Sequence, residues 1–135
     1  LRTSRNKTRT RWFNYFIISC KEDVIIQQRK SKDIWKSLFQ FPLIETSENR
    51  SPDHILKEFI NHKNSALNNF TVRSISSPIT HQLTHQRIIA RFFQLELMEN
   101  MQNLPDGWIT TKWSLLKNYP VPRLIEKYLY NRLIF

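Results

Sequence analysis

The sequence predicts an α+β domain in which a mixed or antiparallel sheet is sandwiched between helices. Three observations predict it. Residues 12–19, WFNYFIIS, are aromatic and β-branched, as in a strand. Ile88 to Leu97 is largely apolar on both faces, as in a strand covered from both sides. Two segments carry apolar stripes at helical spacing: Ile55, Leu56, Phe59 and Ile60, and then Leu124, Ile125, Tyr128, Leu129 and Leu133. With several strands among them, the two helices are expected on opposite sides of the sheet, and 135 residues with 40% hydrophobic content suffice for one domain with a sizeable core but not two.

Taken in order, residues 1–11 form a basic linker and residues 12–135 the domain. The linker contains Arg2, Arg5, Lys7, Arg9 and Arg11 and no acid, so it supplies half of the net charge of +10. Trp12 to Ser19 is the first strand, Lys21-Glu22-Asp23 a turn, and Val24 to Arg29 the second strand of a hairpin. Lys30 to Lys32 is a basic loop. Ile34 to Phe41 is an irregular strand whose aromatic residues enter the core, and Pro42 stops it. Ser51-Pro52-Asp53 starts a helix that runs to about Lys63, with a hydroxyl cap, proline in the first turn and an early carboxylate. Phe70 to Ser76 is a strand. Leu104-Pro105-Asp106-Gly107 is a turn before a short edge strand at Trp108-Ile109. Thr110 is expected to cap a short helix ending near Lys117, and the final helix spans about residues 122–133.

Pro78 to Leu97 organises the chain. Ile79, His81, Leu83 and His85 alternate with Thr80, Gln82, Thr84 and Gln86, so a half-polar strand runs into the doubly covered one. A corner must separate the two, and it holds Leu83, Thr84, His85, Gln86 and Arg87. A hydroxyl, an imidazole, an amide and a fixed cation there, backed by core, make this the expected functional site. His81 and His85 lie too far apart in a strand to share one metal ion.

Composition narrows the function classes. The single Cys20 excludes an internal disulfide and any Cys-based metal cluster. One glycine, Gly107, excludes phosphate-cradling Gly-rich loops. No apolar run reaches membrane-spanning length and no signal peptide is evident, so no membrane partner and a cytoplasmic setting are expected. A basic arm on a moderately basic body points to nucleic acid first and an anionic membrane surface second. The start at Leu1 suggests the C-terminal piece of a longer protein.

Four blocks then carry a resemblance. They are KDIWKSLFQFPLIET (residues 32–46), LTHQRIIARF (83–92), WIT (108–110) and YPVPRLIEKYL (119–129). In this order they resemble the C-terminal domain of MutY-type adenine DNA glycosylases, which act in base excision repair. The resemblance implies a Nudix-like fold and recognition of 8-oxoguanine opposite adenine, with double-stranded DNA and a separate N-terminal catalytic domain as partners. It places lesion recognition at Leu83, Thr84 and His85, where the family usually has aromatic-Ser-His. It also implies that the catalytic Glu and Asp, and an iron–sulfur cluster held by four cysteines, belong to that other domain. No cofactor is therefore expected here.

Active Nudix enzymes hold magnesium with a Glu-rich helix. The segment after residue 46 offers only Glu48, Asp53 and Glu58 beyond Glu45, and no glycine, so no hydrolase activity is expected. Candidate DNA-binding residues are Lys7, Arg9, Arg11, Arg29, Lys30, Lys32, Gln86 and Arg87. Two other classes stay open: a degenerate Nudix-fold nucleotide pyrophosphatase, and a basic nucleic-acid- or protein-binding module.

Overall fold

The computed structural model describes residues 8–63, 69–100 and 102–132. Its spine is a pair of parallel strands, β1 (Arg9–Cys20) and β7 (Gln86–Leu97), in register from Arg9 opposite Gln86 to Ser19 opposite Glu96. β1 is buried on both faces over most of its length, which is why its sequence is nearly continuous in apolar residues. β2 (Asp23–Gln28) folds back antiparallel to β1 after a turn in which Lys21 takes φ 55°. β3 (Phe39–Gln40) lies beyond β2, and β4 (Leu43–Thr46) pairs antiparallel with the first half of β1. β5 (Phe70–Ile75) and β6 (Ile79–Gln82) both pair antiparallel with β7, while β8 (Trp108–Lys112) pairs with β2. All eight strands belong to one mixed sheet.

Strand alternation sends β1 side chains to two cores. Phe13, Tyr15 and Ile17 join Ile88, Ala90 and Phe92 on one face. Phe16, Ile18 and Cys20 join Phe93, Leu95 and Leu97 on the other. Each face receives one helix. α1 (Pro52–Lys63) starts at Ser51, whose Oγ accepts the His54 N–H at 3.2 Å, as the cap motif predicts. Its Phe59 stacks on Phe16 with ring centroids 3.8 Å apart. α2 (Arg123–Asn131) starts after Pro122 and buries Leu124, Ile125, Tyr128 and Leu129 on the opposite face. Tyr128 stacks on Phe92 at 3.9 Å, and its hydroxyl accepts from Gln94 Nε2 at 2.8 Å. The expected sandwich of helices around a mixed sheet is therefore present; Leu133 lies outside the described residues.

Three local expectations are corrected. Residues 34–37 form a turn, with Trp35 at φ 61° and Ser37 at φ 71°. Left-handed backbone costs roughly 1–2 kcal/mol per residue. The Ser37 N–H to Arg29 O bond (2.9 Å), the Arg29 N–H to Leu38 O bond (2.8 Å) and the edge contact of Trp35 on Phe13 help to hold it. Thr110 does not cap a helix. It pairs with Ile25 in β8, and a 3-10 helix at Trp113–Asn118 follows. Pairing with β2 outweighs the local cap signal, because Thr110 and Thr111 are β-branched and fit a strand. Finally, β1 begins at Arg9, three residues before the expected start at Trp12.

That earlier start changes the role of two arginines. Arg11 was expected to contact phosphate, but its side chain is 5% exposed. Its Nε and Nη2 donate to Glu45 at 2.7 and 2.8 Å, Nη2 also meets Asp33 at 2.7 Å, and Nη1 donates to Gln86 Oε1 at 2.9 Å. Arg29, expected in the same role, is 6% exposed, donating to Asp33 Oδ1 and Ile34 O at 2.9 Å each. Both guanidinium groups lie over the Phe13 ring. They are structural cations, because a buried guanidinium must use its donors inside the protein. The hydrogen bonds from Arg11 to Glu45 raise its pKa further, against the opposing effect of burial. At Asp33 burial pushes the carboxyl up. The Ser31 and Arg11 hydrogen bonds and the charges of Arg11 and Arg29 outweigh it and hold the pKa at about 2.

Two outcomes are expected. Phe59→Ala should lower stability in urea unfolding by about 3–5 kcal/mol, because it empties the stacked position beneath α1. A depressed carboxylate pKa contributes stability that is present above the unfolded value of about 4 and is lost as pH falls through about 2. Asp33→Asn should therefore flatten the acid limb of the stability profile between about pH 4 and 2. With Asp33 about a third exposed, solvent screening limits the effect to about 1 kcal/mol. An unchanged acid limb would show that Asp33 is not held ionised by the arginines.

Candidate nucleic-acid interface

The corner expected at residues 83–87 is a tight turn between β6 and β7. Gln82 stands opposite Arg87, and the Leu83 N–H donates to Gln86 O at 2.8 Å, closing the turn. Gln82 Nε2 donates to Leu83 O at 2.9 Å and to Gln86 O at 3.2 Å. Two bonds tie the turn to β1: Arg9 N–H to His85 O at 3.2 Å, and Arg11 Nη1 to Gln86 Oε1. The backbone is thus fixed on both sides, while Thr84 and His85 are exposed.

The sequence-predicted residues divide into three groups. Thr84 and His85 are exposed in the turn, and the exposed Arg9 and Arg87 stand on the strand ends that adjoin it, on opposite faces of the sheet, Arg9 opposite Gln86 and Arg87 opposite Thr10; Lys30 and Lys32 are exposed on the loop after β2. Leu83 is half-buried and packs on the α2-side core, which anchors the turn. Gln86 is half-buried and accepts from Arg11, and its backbone carbonyl closes the turn. Arg11 and Arg29 are buried as described. Lys7 lies outside the described residues. His81 is separated from His85: its ring packs against Trp35 at 5.9 Å, and burial, then the charges of Lys127 and Arg123, push its pKa down.

Several neighbours of the turn left no local trace in the sequence. Thr10 lies opposite Arg87 and accepts from its Nη2 at 3.2 Å. Arg91 donates to Arg50 O and Asn49 Oδ1 at 3.1 Å each, and burial lowers its pKa. Beyond the end of β4, a pocket of about 280 Å³ is lined by Arg9, Thr10, Arg11, Glu45, Thr46 and Ser47. These groups meet only because β1 pairs with β7 and β4, and no sequence spacing encodes that.

The carboxylates near α1 are dispersed. Glu45 is held by Arg11, Glu48 lies 3.5 Å from Arg50, and Glu58 lies 3.7 Å from His54. Among the described residues no three His, Cys, Asp or Glu side chains gather in a metal-binding group. Cys20 is a free, buried thiol.

With this geometry in place, comparison with known proteins is informative. A NUDIX domain family model matches residues 14–131. The C-terminal domain of mouse MUTYH, solved in complex with human PCNA, superimposes with a TM-score of 0.65 at 15% identity, covering 90% of this chain and 89% of that one. A Nudix hydrolase from M. smegmatis, RenU, gives 0.61 at 11% identity, with 91% and 88% covered. MutT from Methanosarcina mazei gives 0.61 at 13% identity, with 92% and 93% covered. No curated protein matches the sequence. At these identities the structural matches speak for the fold, and the match to the family model, which spans nearly all of the described fold, places the chain in the NUDIX domain family.

Proposed function

We propose that this chain is the lesion-recognition module of an adenine DNA glycosylase, reading 8-oxoguanine opposite adenine in duplex DNA. One observation carries the reading: a turn braced at both ends presents Thr84 and His85 to solvent between the strand ends that carry the exposed Arg9 and Arg87. The structural likeness to the C-terminal domain of mouse MUTYH supports it. Guanine offers N7 as an acceptor, whereas 8-oxoguanine has a proton on N7 and an oxygen on C8. A threonine hydroxyl accepts from that N–H and donates to that oxygen. Leu83 anchors the turn, His85 stands at its outer edge, and Arg9, Lys30, Lys32 and Arg87 contact phosphates, which sets position without reading sequence. In this reading the chain carries no catalytic group or cofactor of its own. Base removal belongs to a separate helical domain with its iron–sulfur cluster, for which the single Cys20 provides no ligand set. The protein then works on DNA in the cytoplasm.

Family membership favours a second reading, a nucleotide pyrophosphatase. Hydrolysis of this kind needs several converging carboxylate oxygens around a hard cation, and the described carboxylates do not converge.

Thr84→Val keeps the shape and removes the hydroxyl. It should reduce the preference for 8-oxoguanine over guanine opposite adenine by about 2- to 12-fold, corresponding to one neutral hydrogen bond of about 0.5–1.5 kcal/mol. Fluorescence anisotropy on duplexes differing only in that base measures it. Arg87→Ala should lower both affinities together. If the preference survives Thr84→Val, the hydroxyl is not the reader. Incubation of the chain with magnesium and 8-oxo-dGTP should release no pyrophosphate above a mock-purified control; clear metal-dependent release would establish the second reading instead.

A further inference from the structure

The pocket at the end of β4 has the makings of an anion site. In a parallel ladder the N–H groups of successive residues point to opposite edges of a strand. Arg9 N–H points to β7, where it meets His85 O, so Thr10 N–H points to the other edge. β4 stops at Thr46, opposite Trp12, and among the described residues no strand covers that edge at Thr10. A backbone donor therefore faces the pocket, like the unpaired donors of any strand edge. The hydroxyl of Thr10 accepts from Arg87 and keeps its own proton to donate. Ser47 adds a second, exposed hydroxyl. The Glu45 carboxylate in the wall is occupied by two hydrogen bonds from Arg11, so it repels an anion little. Arg9 stays exposed at the rim.

We infer that the pocket between Arg9, Thr10 and Ser47 binds a tetrahedral phosphate group. The backbone N–H and two hydroxyls fit its oxygens, and Arg9 supplies the charge. The inference deepens the reading above. Arg9 is bonded to His85, so a duplex whose lesion meets Thr84 brings a nearby phosphodiester to the pocket, and recognition and positioning share one backbone segment.

The test uses the whole 135-residue chain, labelled with ¹⁵N, in chloride buffer. Inorganic phosphate and, separately, a short duplex with 8-oxoguanine opposite adenine are titrated while the amide resonances of Thr10 and Ser47 are followed. Both probes should shift them. Arg9→Gln should weaken inorganic phosphate about tenfold and reduce the log–log salt slope for the duplex by about 0.9, one phosphate contact. Ser47→Ala should weaken phosphate and leave the salt slope unchanged. It serves as the second variant if Arg9→Gln disturbs the strand. Shifts with inorganic phosphate alone would keep the phosphate site and assign it to a free phosphate or nucleotide, which would count against the DNA reading. Loss of lesion preference in Thr84→Val, with no shift of Thr10 or Ser47 by either probe, would separate the two proposals in the other direction, keeping the lesion reading and losing the phosphate site. No shift of Thr10 or Ser47 with either probe overturns the inference.

Discussion

The parallel pairing of β1 with β7 is the constraint on which the rest depends. The two strands run side by side from Arg9 and Gln86 to Ser19 and Glu96. Their alternate side chains make the floor of both cores, and each helix docks by one stacked ring, Phe59 on Phe16 and Tyr128 on Phe92. Parallel strands cannot be joined by a tight turn. Everything between them in sequence, including β4, α1 and β5, must therefore travel around the sheet and return. That return leaves the start of β1 and the turn before β7 at the same end of the molecule. The functional proposals all concern that end.

At that end, burial decides what an arginine does. Arg9 and Arg11 sit two residues apart on one face of β1 and look alike in sequence. Arg11 is covered by the loop at residues 29–34 and by β4, and its donors go to Glu45, Asp33 and Gln86. Arg9 lies one step further out and stays in solvent. A desolvated cation is tolerated only with its charge and donors satisfied, so Arg11 and Arg29 come together with Asp33 and Glu45 as a unit. This unit also positions the turn, since Gln86 is held by Arg11. Loss of Arg11 would leave two carboxylates without their shared partner and release one end of the site.

The same sheet and helices support quite different chemistry in the proteins they resemble, among them Nudix hydrolases and the C-terminal domain of mouse MUTYH. Fold therefore does not choose between hydrolysis and recognition; the side chains on it do. Here the helix that would face a nucleotide in a hydrolase carries Asp53 and Glu58 without further acids beside them, Glu58 lying next to His54. The turn at residues 83–86, by contrast, is tied down by backbone and side-chain bonds, and it exposes two groups that can hydrogen-bond a base edge. Rigidity at the turn, and not carboxylates gathered at the helix, is the feature on which the proposed recognition role rests.

Much of this was legible in the sequence because it depends on local physics. The Ser51 cap, the two helical stripes and the doubly apolar strand after Arg87 each state their burial pattern within a dozen residues. The corner was visible too, as a change from one-sided to two-sided burial between Gln82 and Ile88. What failed locally failed for a tertiary reason. Thr110 reads as a cap until β2 offers it a strand partner, and Trp35 reads as strand until the Arg29 and Ser37 backbone bonds curl residues 34–37. Arg11 and Arg29 read as phosphate ligands because charge is visible in a sequence and burial is not. Only the fold brings residues 11, 33, 45 and 86 together, and only there does the desolvation of a guanidinium determine that its partners lie inside the protein.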